Sequence, residues 1–230
     1  MIEEPPLLQV KRADRRPTEE QIAAIAACPT GFLCDAMDGK GALSPDLGWL
    51  DADLLPTAFC GVALTSENGP DDILGIMASL AMVQPGDVVV AGTSNWRGSA
   101  AAGDRVMGMM KNGGAVGFVT DGLVRDHEGI VPVGLPVFCA GLNPNSPYAN
   151  GPAKVGTPIV LGGVPVATGD IIAADRSGVV VVPFERIDAV IATVRRITSL
   201  EEELDAKVAA GQKVPGAIED LLASDKVRWL

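Results

Sequence analysis

The stretch Asp87–Thr120, DVVVAGTSNWRGSAAAGDRVMGMMKNGGAVGFVT, decides how this chain folds. It opens on a β-branched run, Asp87–Ala91, and passes through Ala, Met and Gly at helix-compatible spacing from Ser99 to Lys111. It closes on a second apolar run, Gly117–Thr120. Short apolar runs ended by Gly or Asp predict strands covered on both faces, and the intervening pattern predicts a helix.

Working outward, Phe59–Thr65 (FCGVALT) predicts a further strand and Ile73–Met82 a further helix. The order strand, helix, strand, helix, strand predicts an α/β layer. On the C-terminal side, Leu135–Ile172 is rich in Pro and Gly, which break GTPIVLGGVPVATGDII (156–172) into short pieces. This segment predicts a second, mostly antiparallel β layer, followed by a strand at Val179–Val182.

The ends read differently. TEEQIAAIAA (18–27) has an acidic first turn behind a Thr able to cap it, so a helix starts there, after an arm carrying Pro5, Pro6 and Pro17. After Pro183 a long helix is predicted, with apolar positions near 187, 190, 191, 194, 197 and 200 and an end close to Gly211. It is longer than one core face requires, which predicts packing on a neighbouring subunit. The expected organisation is an irregular arm over 1–17, an α/β catalytic domain over 18–183 and a helical extension over 184–230.

Composition narrows the function. With 47% apolar and 20% charged residues, one domain with appendages is expected. Acidic residues outnumber basic ones 29 to 18, a net charge of −11, which argues against a nucleic-acid surface. The opening residues show no signal-peptide pattern, and the apolar runs are interrupted well short of the ~20 residues a membrane helix needs. A cytoplasmic protein is expected, with Cys28, Cys34, Cys60 and Cys139 too scattered for a zinc site and read as reduced thiols.

The chemistry concentrates in GDRVMGMMKNGGAVGFVTDGLVRDHE (103–128), where Asp104 precedes the adjacent pair Arg125-Asp126. A helix and a returning strand between them would bring the three together. Two carboxylates and a guanidinium suit a small 2-oxo acid and a hard cation, because Arg offers a planar fork to a carboxylate or enolate oxygen and Mg²⁺ or Mn²⁺ prefers oxygen ligands. The residue types alone also fit an Asp serving the helix dipole and a surface ion pair in a turn.

Around these residues lie LCDAMDGKGAL (33–43), GVALTSENGPDD (61–72), QPGDVVVAGTS (84–94), GFVTDGLVRD (117–126) and GDIIAADRSGVVVVP (169–183). In this order they resemble the corresponding segments of the 4-hydroxy-4-methyl-2-oxoglutarate aldolases and their relatives, grouped with the regulator of ribonuclease activity A. The likeness covers most of residues 30–200; MIEEPPLLQVKRADRR and the tail after Gly211 have no counterpart in the pattern.

The resemblance implies a swivelling β/β/α domain, assembled as trimers or hexamers, and a metal-dependent retro-aldol through a pyruvate enolate, with oxaloacetate decarboxylation as a side activity. It implies Asp126 as the ligand of Mg²⁺ or Mn²⁺, Asp104 as a holder of waters around the ion, and Arg125 as the partner of the enolate oxygen. The backbone N–H groups of Gly103, Asp104, Arg105 and Val106 would receive the substrate carboxylate.

Several alternatives are weaker on the residues. A Schiff-base route needs a buried lysine, and Lys111 and Lys154 lie in polar or Gly/Pro settings. A methyltransferase would need a glycine-rich nucleotide loop, and neither Gly113–Gly117 nor Leu161–Pro165 has that form. A non-catalytic regulator that binds a ribonuclease or another protein would not need Asp104 with Arg125-Asp126. His127 reads as a surface or supporting residue, Glu128 as somewhat better placed to face a metal, and Trp96 and Arg97 as lying outside the site.

Overall fold

The structure, a computed structural model, describes residues 6–230. The chain runs through β1 (Leu8–Val10), α1 (Glu19–Ala26), α2 (Thr30–Asp35), β2 (Gly48–Trp49) and β3 (Phe59–Glu67). It continues with α3 (Leu74–Ser79), β4 (Asp87–Gly92), β5 (Ala100–Ala102), α4 (Asp104–Asn112), β6 (Gly117–Thr120), β7 (Leu123–Val124), α5 (His127–Val133) and β8 (Val137–Cys139). Then follow β9 (Ala153–Val155), β10 (Ile159–Leu161), β11 (Val164–Val166), β12 (Ile171–Asp175), β13 (Gly178–Val182), α6 (Ile187–Ala209) and α7 (Gly216–Leu222).

The expected mixed α/β domain with a long C-terminal helix is observed. Strands β3, β4, β6 and β8 form a parallel set, with Val89 opposite both Leu64 and Phe118. On its other side β3 pairs antiparallel with β12 at its start and with β9 at its end, and β13 extends the sheet beyond β12. The alternation of side chains along each strand separates the cores. Val88, Val90 and Val119 pack on one face with Phe59 and Leu161, while Val89, Ala91 and Phe118 pack on the other with Met107, Met110 and Ile130. Ile171, Ala173, Val180 and Val182 face a third core under α1, α2 and the start of α6.

The helices obey local rules where the sequence supplied them. Thr18 accepts from the Gln21 N–H and the Gln21 side chain accepts from the Thr18 N–H, closing a capping box on α1. In α6 only Ile187, Val190 and Val194 are buried, all in the first third of a helix about 34 Å long. Leu200, Leu204 and Val208 beyond them are exposed.

Three expectations are corrected. Ser99–Lys111 is not one helix: Ala100–Ala102 is a buried strand paired parallel to β7, and α4 starts only at Asp104. Helix propensity of alanine is worth less than burying three residues in a strand pair, so tertiary context wins. The arm is not irregular throughout, since Leu8–Val10 pairs parallel with β9; residues 1–5 lie outside the described part. Finally, Leu135–Ile172 is mostly antiparallel as expected, with β10 and β11 forming a hairpin and β9 and β12 pairing antiparallel with β3, but it is not one separate layer. Strand β8 joins the parallel set, and β9 pairs parallel with β1 and antiparallel with β3. Three-residue strands carry too little pattern to reveal which strands they will join.

Candidate active site

The pairing of β5 with β7 builds the site. Ala100 lies opposite Leu123 and Ala102 opposite Val124, and the N–H of Arg125 donates to the carbonyl of Ala102 at 3.0 Å. Two parallel strands therefore deliver Gly103-Asp104 and Arg125-Asp126 side by side. Each pair starts a helix, with Gly103 as the N-cap of α4 and Asp126 as the N-cap of α5. The residues between Asp104 and Arg125 are used by α4, the return along β6 and the turn into β7.

The two helix starts interlock through their carboxylates. A Cβ placed on Gly103 would stand 2.5 Å from Asp126 Oδ2, and one on Gly129 would stand 2.5 Å from Asp104 Oδ2. Each carboxylate thus rests on a glycine at the beginning of the opposite helix, an approach that a side chain at either position would block.

Asp126 is in the left-handed region, at φ 61° and ψ 44°, and its side chain makes no capping hydrogen bond. A non-glycine residue held there costs on the order of 1–3 kcal/mol, and such strain gathers at functional positions. An ordinary cap would have extended backbone and an occupied side chain, and Asp126 has neither. Asp104 behaves differently: its Oδ1 accepts from the N–H of Arg105 at 2.7 Å. That takes Arg105 out of the set of predicted carboxylate-binding donors. The first N–H groups of any α-helix lack intrahelical partners, so the α4 N-terminus still offers donors at Asp104 and Val106.

Arg125 is held at two points. Its Nε lies 3.3 Å from Asp126 Oδ2, and its Nη1 donates to Ser146 Oγ at 2.6 Å. The Arg125 side chain is 35% exposed and that of Asp126 47%, so both remain open to a ligand. Ser146 was not foreseen: no local motif marks a loop serine that meets an arginine 21 residues earlier.

The other candidates are engaged elsewhere. His127 Nε2 pairs with Asp51 Oδ2 at 3.0 Å, which makes it a supporting residue. The Asp51 carboxyl is held below its usual range, chiefly by the Leu54 N–H against the opposing effect of burial, with Asp53 and His127 adding to it. Lys111 donates to the carbonyl of Val133, and Lys154 pairs with Glu67 at 3.0 Å on the surface, so neither is the buried amine a Schiff base requires. Arg97 donates to the backbone carbonyl of Asp121, and Trp96 packs over Gly98. Burial pushes the Cys60 thiol up to about 12 and that of Cys139 to about 11, leaving them inert as nucleophiles.

Among the described residues no group of three or more His, Cys, Asp or Glu comes together as a metal cage. The donor set at the site consists of the carboxylates of Asp126 and Asp104. This suits a small hard cation that is bound through one or two carboxylates and keeps several waters, as Mg²⁺ does. It does not suit zinc, which takes three or four nitrogen and sulfur ligands.

Among the described residues no helix is long and apolar enough to cross a membrane. Known proteins share this framework. A protein of Halalkalibacterium halodurans, provisionally named 4-hydroxy-4-methyl-2-oxoglutarate aldolase, is 33% identical over 162 residues, covering 70% of this chain and 76% of its own. The crystal structure of Streptomyces coelicolor RraAS2, described as an unusual member of the RNase ES inhibitor RraA protein family, superposes with a TM-score of 0.73. It is 27% identical and covers 84% of this chain and 100% of its own. The RNA-processing inhibitor RraA from Thermus thermophilis shares the fold at a TM-score of 0.62 and 22% identity, over 68% of this chain and 93% of its own. The RraA-like family model, described as Aldolase/RraA, matches residues 30–181, a span containing β5, β7 and both helix starts of the site. The chain therefore belongs to the RraA-like family of aldolases and RraA proteins.

Proposed function

We propose that this protein is a divalent-metal-dependent pyruvate aldolase that cleaves a 4-hydroxy-2-oxo acid, such as 4-hydroxy-4-methyl-2-oxoglutarate, to pyruvate and a second carbonyl compound. The observation that carries this reading is Asp126: strained, not capping its helix, and laid against the α4 N-terminus beside Asp104 and Arg125. A fold-supporting turn would gain nothing from that strain.

In this reading Asp126 would hold Mg²⁺ or Mn²⁺ and Asp104 would order waters around it, and the bound ion would supply Lewis-acid stabilisation of negative charge on the 2-oxo oxygen. The N-terminus of α4, through the N–H groups of Gly103, Asp104 and Val106, would receive the substrate carboxylate. Arg125 donates to the 2-oxo oxygen, and that bond strengthens as charge develops there. Water held by Asp104 takes the proton of the C4 hydroxyl, the C3–C4 bond breaks, and its electron pair enters the enolate. Return of that proton to C3 then releases pyruvate beside the second carbonyl compound. Oxaloacetate would lose CO₂ through the same enolate.

The same proposal places the protein in the cytoplasm as a homotrimer or homohexamer, with residues 184–230 packing on a neighbouring subunit. The exposed Leu200, Leu204, Val208, Ile218 and Trp229 on that extension support this arrangement. The decisive assay follows pyruvate after adding Mg²⁺ or Mn²⁺ and either oxaloacetate or 4-hydroxy-4-methyl-2-oxoglutarate. Release above a metal-only blank is expected. Its absence with both substrates removes the aldolase reading and favours a regulator acting through protein contacts.

A further inference from the structure

The segment after β8 is irregular, yet it is tied down along its length. The Val124 N–H donates to the carbonyl of Gly141 at 2.9 Å, and the Asn143 N–H donates to that of Val124 at 2.9 Å, so the chain passes β7 as an added strand. The Asn143 and Asn145 side-chain amides then donate to the carbonyls of Arg97 and Gly98, each at 2.9 Å, and the Ala100 N–H donates to the Asn145 carbonyl at 3.0 Å. At the far end the buried Asp72 carboxylate accepts from the N–H groups of Asn150 at 2.6 Å and Gly151 at 2.9 Å.

The surface receiving this strap is itself rigid. Asp121, 2% exposed, accepts from the N–H and hydroxyl of Thr93 and from the N–H of Asn95. These bonds hold Ser94 and Asn95 at φ 56° and 57°, two consecutive left-handed residues outside glycine. A continuous set of contacts therefore runs from buried Asp121 through residues 93–98 to Asn143 and Asn145. One residue further on, Ser146 presents its hydroxyl to Arg125.

An exposed arginine on a flexible stem loses effectiveness as a donor when it samples many rotamers. We propose that Ser146 is a positioning residue that fixes the Arg125 guanidinium, with the strap over 141–151 serving to place its hydroxyl. With Nε drawn to Asp126 and Nη1 to Ser146, the guanidinium is oriented by both neighbours, and its remaining N–H groups are left to the bound anion. The catalytic meaning of this contact rests on the aldolase reading; the contact itself does not.

The test uses the full-length protein with two readouts. The first is independent of activity: the Arg125 Nε–H signal in ¹H–¹⁵N spectra, identified by its loss in Arg125→Lys. It is expected to be ordered in the wild type and Ser146→Thr, and mobile in Ser146→Ala. An equally ordered signal in Ser146→Ala overturns the proposal whatever the protein catalyses.

The second readout is oxaloacetate turnover with Mg²⁺. Ser146→Ala is expected to lower kcat about tenfold with a smaller change in KM, as for one lost hydrogen bond to a charged group. Ser146→Thr should restore the rate, and Ser146→Ala should cost nothing further in an Arg125→Lys background. An undiminished kcat in Ser146→Ala, or an equal loss in both backgrounds, overturns the proposed role. A wild type inactive on oxaloacetate and on 4-hydroxy-4-methyl-2-oxoglutarate defeats the aldolase reading instead, and the spectra still decide the contact.

Discussion

Arg16 meets Asp87 at 2.6 Å beneath the N-terminal arm, and Arg125 meets Asp126 at 3.3 Å where α5 begins. The same two residue types serve opposite ends in these regions. The Asp87 side chain is 5% exposed and also accepts from the Gln84 N–H at 2.9 Å, while Arg16 spends a second donor on the carbonyl of Pro85. Arg15 does similar work beside Asp170, which accepts from the N–H groups of Ala167 and Phe184. These ion pairs are satisfied, and they anchor an arm that arches over a cavity of about 700 Å³. Asp126 is half exposed, strained and poor in partners. At the open site the hydrogen-bonded strap ends on Arg125 and leaves the Asp126 carboxylate half exposed, whereas Asp87 beneath the arm is engaged at both oxygens. Satisfaction of hydrogen-bonding capacity, more than residue type or cavity size, separates a structural Arg–Asp pair from one able to take a ligand.

The sharpest way to break this contrast is at Asp126. Asp126→Gly should reduce pyruvate release to the metal-only blank while gaining about 1 kcal/mol by relief of the left-handed strain, and Asp126→Ala should abolish release equally but lower Tm slightly, because alanine tolerates that backbone less well than aspartate. Unfolding at a lower temperature in Asp126→Gly would show that the residue supports the fold. The reverse pattern is expected at Asp87. Asp87→Ala strands the Gln84 N–H and the Arg16 guanidinium, for a loss of about 2–3 kcal/mol and a Tm lower by roughly 5–10 °C. Its turnover per folded molecule should stay at the wild-type level.

A smaller effect is expected at the interlock. In Gly129→Ala the new methyl must displace the Asp104 carboxylate, so kcat for oxaloacetate should fall about tenfold, in the range seen when groups around a metal are disturbed. An unchanged rate would show that Asp104 does not act from that position. The smallest effect is a pH dependence at the structural pair. Burial raises the Asp87 carboxyl above its ordinary value, opposed by the Gln84 N–H and by Arg16. The folded state then binds more protons than the unfolded state just above the ordinary carboxylate range, and stability falls as pH rises through the folded-state pKa. The Tm of the wild type relative to Asp87→Asn should therefore decline as pH rises above the ordinary carboxylate range, about pH 4. A difference that grows with pH would reverse the sign and contradict burial as the leading cause.

How far the sequence could be read differs between elements. Strands β3, β4 and β6 were legible because their apolar runs are covered on both faces, and α1 because Thr18 and Gln21 carry their own cap. Strand β5 was not, since three alanines have no strand preference until β7 is beside them. The three-residue β9 hid its parallel partner β1 for a similar reason. At the site, residue types made Asp104, Arg125 and Asp126 candidates, and the ordered family-like segments raised them above an ordinary ion pair.

By itself, then, the amino-acid order determined the α/β layering, the capped first helix and the presence of two carboxylates and a guanidinium at a spacing that a helix and a strand can close. Those are local properties, set by side-chain periodicity and by covalent distance. The left-handed backbone of Asp126, the seating of each carboxylate on the opposite glycine and the clasp of Ser146 on Arg125 were decided only by the tertiary structure. They depend on β5 lying against β7 and on a strap pinned to residues far away in the chain, and contacts of that kind leave no periodic trace in the residues that make them.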